Sequence, residues 1–172
     1  MNNPVQTRKS KRPSWRFMVS HPAHWLSLGF GSGLAWFMPG TFGTLMGWLF
    51  FVWLDPWLTH IDWLWVITIA FVVGCACCHY TGRALGVIDH GSIVWDEIVA
   101  IWIVLLFSAT HFSTPLEQLA CVVVFRFFDM AKPPPIRWFD SHWKNGFGVM
   151  FDDIVAAFMT LLALAWYVHV WA

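Results

Sequence analysis

The run Trp63–Gly82, WLWVITIAFVVGCACCHYTG, is twenty residues long and contains no Asp, Glu, Lys or Arg. About 20 apolar residues in a helix are enough to cross the hydrocarbon core of a bilayer. Working outward, the run is preceded by the turn Asp55–Asp62, which contains Pro56, and followed by the polar, turn-like stretch Arg83–Glu97. Phe17–Leu54, Ile98–Leu116 and Ile154–Ala172 also lack Asp, Glu, Lys and Arg, while the apolar stretch Gln118–Ala131 carries only Arg126 and Asp129. The pattern predicts an all-α, polytopic membrane helical bundle of four to five spans. Its first segment is expected to be re-entrant or interrupted, because HPAHWLSLGFGSGLAWFMPGTFGT (21–44) is rich in glycine and contains Pro39; the first span proper is placed at about Phe42–Leu54.

Composition agrees. The chain has 172 residues, 58% hydrophobic and only 12% charged, with mean hydropathy +0.59. A soluble domain carries about twice that charge fraction. Fourteen tryptophans suit the membrane–water boundary, where an indole keeps one edge wet. Net charge is zero, yet Arg8, Lys9, Lys11, Arg12 and Arg16 place half of the ten cations in residues 1–16. That basic arm reads as a cytoplasmic topology signal ahead of one membrane-embedded domain, residues 17–172, and not as a nucleic-acid site. With five spans, the turns at 55–62 and 111–117, which contain no Lys or Arg, face away from the cytoplasm. Asp89, Asp96, Glu97, Asp129, Asp140, Asp152 and Asp153 all fall on the cytoplasmic side. Cys75, Cys77, Cys78 and Cys121 lie in apolar runs, so buried thiols are expected and a disulfide framework is not.

Polar chemistry is concentrated in RFFDMAKPPPIRWFDSHWKNGFGVMFDD (126–153), which holds four of the ten acids and four of the ten bases. Arg126, Asp129 and Lys132 share a helix face by their spacing, Pro133–Pro135 stop that helix, Asp140 lies in the connection, and Gly146 and Gly148 allow a turn. Asp152–Asp153 then opens an apolar helix, as Asp96–Glu97 does, with Asp89 shortly before the latter pair. One such pair is explained by the helix dipole; the recurrence suggests hard oxygen ligands for Mg²⁺. Asp96, Glu97, Asp129, Asp152 and Asp153 are the candidate metal ligands, and Asp89, Asp96, Asp129 and Asp153 the candidate catalytic acids. Arg126 and Lys132 are placed to hold phosphate oxygens. Glycines 29–33 and the stretch Pro39-Gly40-Thr41-Phe42-Gly43-Thr44 admit two readings: a backbone cradle for phosphate, with Thr41, Gly43 and Thr44 in contact, or close helix packing by small residues.

Two other chemistries fit parts of the chain. Cys77-x5-Arg83 matches the loop pattern of cysteine-dependent phosphatases, a weak motif with two fixed positions. Membrane carboxylates would also serve a small proton- or ion-coupled transporter, although no internal repeat is evident.

The blocks GFGSGLAWFMPGTFGT (29–44), DHGSIVWDEIVAIW (89–102) and FRFFDMAKPPPIRWFDSHWKNGFGVMFDDIVAA (125–157) together resemble the bacterial phosphatidylglycerophosphatase A family. The resemblance implies an all-helical, Mg²⁺-dependent phosphatase of the inner membrane. It would convert phosphatidylglycerophosphate to phosphatidylglycerol and inorganic phosphate, with its site facing the cytoplasm. Pro134 departs from the pattern, in which tryptophan is more typical. In the mechanism expected from the residue chemistry, the metal polarises the phosphoryl oxygens and acidifies an attacking water. A carboxylate takes the proton, and Arg126 and Lys132 offset charge.

Overall fold

Seven α-helices and two short 3-10 turns make up the regular structure of the described residues. The computed structural model describes residues 12–134 and 145–171. Arg8, Lys9 and Lys11 of the basic arm, Pro135 and Asp140 lie outside the described residues.

The helices are α1 Trp15–Val19, α2 Pro22–Ser27, α3 Pro39–Leu54, α4 His60–Leu85, α5 Trp95–Ser108, α6 Pro115–Ala131 and α7 Gly146–Trp171. Their limits follow from local chemistry. Thr59 with Asp62 and Thr114 with Glu117 form reciprocal capping boxes at the starts of α4 and α6. Gly86 ends α4 at φ +77°, and Lys132 ends α6 in the left-handed region at φ +39°, just before the prolines. Between α2 and α3 the chain is broken by the 3-10 segment Gly29–Leu34 and by left-handed backbone at Phe30 and Met38. The first apolar segment is therefore interrupted, as expected.

Two expectations about the last helix are corrected. Gly146 and Gly148 do not form a turn; both are helical residues of α7. The cap is set earlier, where the Asn145 side-chain oxygen accepts from Gly148 N at 2.8 Å. Asp152–Asp153 consequently lies in the helix body and not at its head. Gly146 instead lets α7 approach α4, since a Cβ there would lie 2.6 Å from the His79 Cβ. In α4, Arg83 belongs to the helix and not to a turn.

α5 is the central helix, packed against α3, α4, α6 and α7, and most of its side chains are buried. Gly47 of α3 allows a close contact with α5. A Cβ at Gly47 would lie 2.7 Å from Ile101 Cγ2 and 3.0 Å from the Ile98 Cα, and Trp102 Nε1 donates to the Gly47 carbonyl at 2.8 Å.

α4 and α7, each of 26 residues, are long and apolar enough to cross a membrane. α4 turns Ile61, Leu64, Trp65, Ile69, Val72 and Val73 outward, an apolar face that a water-soluble core helix would hide. By a rise of 1.5 Å per residue, α3, α5 and α6 reach only about 24, 21 and 26 Å, less than the ~30 Å hydrocarbon core. Two helices of spanning length, not four or five, are therefore present among the described residues.

Candidate active site

The helix ends nearest the polar residues converge at one end of the bundle. The start of α5 brings Asp96 and Glu97, the end of α6 brings Arg126, Asp129 and Lys132, and the second turn of α7 brings Asp152 and Asp153. Asp96, Asp129, Asp152 and Asp153 are all buried. One carboxylate oxygen from each of Asp96, Glu97 and Asp153 lies within 4.8 Å of the others.

Two cations bind this cluster into one network. Arg126 Nη1 donates to Glu97 Oε1 at 3.3 Å and also to Asp129 Oδ2, one turn along its own helix. The intrahelical pair is thus present, and the same guanidinium reaches across to α5. Lys132 Nζ donates to Asp152 Oδ2 at 3.0 Å, tying the end of α6 to α7.

The residues fit a divalent cation. Asp153 Oδ2 and Glu97 Oε2 are buried with no hydrogen-bond partner among the described residues, as are Thr41 Oγ1 and Arg126 Nε. Among the described residues, the three carboxylates Asp96, Glu97 and Asp153 have one ion pair, from Arg126 to Glu97. Three crowded carboxylates in a low-dielectric setting repel one another and need further positive charge. Hard oxygen donors with open positions suit Mg²⁺.

The expected phosphate-binding residues divide. Gly43 packs on Val94, where an added Cβ would lie 2.6 Å from the Val94 Cβ, and the buried Thr44 hydroxyl donates to the Gly40 carbonyl of its own helix at 2.9 Å. These two serve the helix contact. The Thr41 hydroxyl is buried with no hydrogen-bond partner among the described residues. Asp89 is exposed in the loop before α5, within electrostatic reach of Asp96 but outside the buried cluster.

Gly40 was not among the expected site residues, yet it touches the centre. A Cβ there would collide with Glu97 Oε1 and lie 2.9 Å from Arg126 Nη1. Its signal was the Pro39-Gly40 pair at a helix start, where only a missing side chain admits such an approach. In the neighbouring loop, His90 Nδ1 accepts from Ser92 N at 3.1 Å, and burial holds the imidazole pKa below its usual value despite Asp89 beside it.

The cysteine-phosphatase pattern does not form a loop. Cys77 and Arg83 both lie within the continuous helix α4, whose backbone amides are used in helix bonds, so no cradle surrounds the thiol. All four cysteines are free, with Cys78 and Cys121 buried.

No solved structure matches this chain. A protein from Bacteroides thetaiotaomicron, provisionally described as a phosphatidylinositol-3-phosphatase, is 32% identical over 90% of this chain and 95% of its own length. The phosphatidylglycerophosphatase A of Escherichia coli strain K12 is 41% identical over 91% of this chain and 89% of its own. That of Haemophilus influenzae is 42% identical over 88% and 92% respectively. The family model described as Phosphatidylglycerophosphatase A matches residues 25–168, which include every residue of the carboxylate cluster, and the chain belongs to that family.

Proposed function

We infer that the chain hydrolyses the terminal phosphate of phosphatidylglycerophosphate, releasing phosphatidylglycerol and inorganic phosphate, with Mg²⁺ as cofactor. The observation that carries this reading is the buried triad Asp96, Glu97 and Asp153, with unpartnered oxygens, beside the cations Arg126 and Lys132. Asp96, Glu97 and Asp153 would hold the metal, with Asp129 and Asp152 in support. Bound there, Mg²⁺ supplies Lewis-acid polarisation of the phosphoryl group and offsets its charge.

The chain's own residues do the rest. Arg126, fixed by Glu97 and Asp129, presents a preorganised guanidinium to phosphoryl oxygens, and Lys132 adds a point charge from the end of α6. A carboxylate of the cluster left unligated by the metal takes the proton of the attacking water. The unpartnered hydroxyl of Thr41 would donate to the substrate.

The same reading sets the bundle in a bacterial inner membrane as a multi-pass protein, its site at the cytoplasmic surface. Arg83 lies in the last turn of α4, and Arg126 and Lys132 at the end of α6. Asp55, Asp62 and Glu117 belong to the opposite helix ends, which fits the positive-inside rule. α3, α5 and α6 complete the membrane domain as short helices whose ends stay near the polar surface.

Phosphate release from phosphatidylglycerophosphate by detergent-purified protein tests this. Release that stops with EDTA and returns with added Mg²⁺ is expected, as is full activity in Cys77→Ser. Release indifferent to EDTA, or faster release from phosphatidylinositol 3-phosphate, would overturn the metal or the substrate assignment respectively.

A further inference from the structure

Beside the carboxylate cluster lies an open cavity of about 430 Å³, lined by Arg12, Ala35, Pro39, Asp89, His90 and Ser92 among others. It borders the cluster. Pro39 precedes Gly40, whose Cα faces Glu97 and Arg126, and Asp89 lies within electrostatic reach of Asp96. At its edge Arg12 sits over the Trp36 ring, with its guanidinium carbon 6.0 Å from the ring centroid. Trp36 and Phe37 form an exposed bend, 82% and 65% accessible, and Trp15 is exposed nearby in sequence. Exposed tryptophans of this kind sit at the headgroup level of a bilayer.

We propose that this cavity is a subsite for the phosphodiester of a glycerophospholipid headgroup, with Arg12 as its charged partner and His90 as a second donor. The inference rests on the function proposed above and extends it from the reacting phosphate to the rest of the headgroup. Such a substrate carries two phosphates, a terminal monoester and an internal diester one glycerol unit nearer the acyl chains. With the monoester at the carboxylate cluster, the diester falls toward the membrane, which is the side marked by Arg12 and Trp36.

The chemistry of the lining suits a diester. A guanidinium forms paired, charge-assisted hydrogen bonds to two phosphate oxygens. The Nδ1 of His90 accepts from the Ser92 backbone, so in the neutral ring the hydrogen sits on Nε2, which is free to donate to a ligand. Asp89 on the same wall disfavours a dianionic monoester but tolerates a singly charged diester, and it can accept from the hydroxyl of the intervening glycerol. The cavity thereby sets the direction in which the headgroup lies, and Arg12 is a specificity-determining residue, not a catalytic one.

The test uses the full chain in detergent micelles. Glycerophosphoglycerol, a water-soluble diester without a monoester, serves as the competitor, and inorganic phosphate as the control anion. Arg12→Ala is expected to raise KM for phosphatidylglycerophosphate about tenfold with kcat changed less than twofold, and to weaken inhibition by glycerophosphoglycerol by a similar factor. Arg12→Lys should recover part of both, and inhibition by inorganic phosphate should be the same in all three proteins. Arg16→Ala, which removes an exposed cation of α1 outside the cavity, should leave KM unchanged. Equal KM and equal diester inhibition in wild type and Arg12→Ala would overturn the proposal, as would an equal KM rise in Arg16→Ala, which would mark a general surface-charge effect. Should wild-type protein release no phosphate from the lipid, the functional reading fails by itself. Phosphorus NMR line broadening of glycerophosphoglycerol by wild type and by Arg12→Ala then still decides the subsite.

Discussion

Gly40→Ala puts a single methyl group against the centre of the network. The new Cβ would lie 2.9 Å from Arg126 Nη1 and 3.0 Å from Nη2, and still nearer Glu97 Oε1, whereas ordinary contact begins at 3.4 Å. The guanidinium must therefore retreat by about half an ångström, and the Glu97 carboxylate by more. Both are terminal groups of flexible side chains, but neither is free to move: Arg126 is held by Glu97 and Asp129, and the two side chains of the pair are each 13% exposed. The methyl group sits in the first turn of α3, where alanine is the better helix former by up to about 1 kcal/mol. Stability should therefore change little. Activity should not survive as well, because a displacement approaching 1 Å at groups that position a reacting phosphate costs about 10²-fold, or about 2.7 kcal/mol of transition-state stabilisation. Phosphate release under saturating lipid, measured beside a thermal unfolding midpoint in the same detergent, separates the two effects. A Gly40→Ala protein with wild-type kcat would refute the placement of Glu97 and Arg126 at the reacting centre. A protein that unfolds many degrees earlier would show that the methyl group disturbs the helix packing instead.

Asp129→Asn and Asp153→Asn should each abolish turnover while the protein still inserts and purifies; near-wild-type release in both would rule out the carboxylate assignment. Gly47→Val should cost about 1–3 kcal/mol through overpacking against Ile98 and Ile101, read as a lowered unfolding midpoint, and an unchanged midpoint would contradict the close α3–α5 contact. Burial depresses the His90 pKa in the folded chain, so the neutral-imidazole loop is fully stabilised above the unfolded value of about 6.5 and loses that stabilisation as pH falls below it. Amide exchange at Ser92 should accordingly quicken at acidic pH relative to the intrinsic rate, and not in His90→Asn; a ratio flat with pH would show that the His90–Ser92 contact is not what orders the loop.

Much of the fold was legible before any coordinates. The uncharged run Trp63–Gly82 lies within α4, and α6 ends at Ala131, two residues before the first of the prolines expected to stop it. The acids and bases of the site were also legible as a group, because ionisable side chains in apolar runs are costly and stand out by type alone. Less legible was the length of each span. α3 covers only the last 16 residues of the uncharged run Phe17–Leu54, because glycines and Pro39 interrupt it, and α5 stops at Ser108, inside the run Ile98–Leu116.

What the sequence by itself determined is therefore local: which stretches are helical and apolar, where they are punctuated, and which residue types are present for chemistry. What only the tertiary structure decided is which of these meet. Arg126 finds Glu97 at a separation of 29 residues, and Lys132 finds Asp152 at 20. Asp152–Asp153 reads as a helix start in sequence and stands in a helix body in space, because Asn145 caps α7 earlier. Gly43 and Thr44 pack while Gly40, in the same glycine-rich stretch, opens onto the site. Hydropathy and capping act within a turn or two of one helix, whereas the rotation and depth of each helix are set by close packing against its neighbours. That packing decides which side chains share a site.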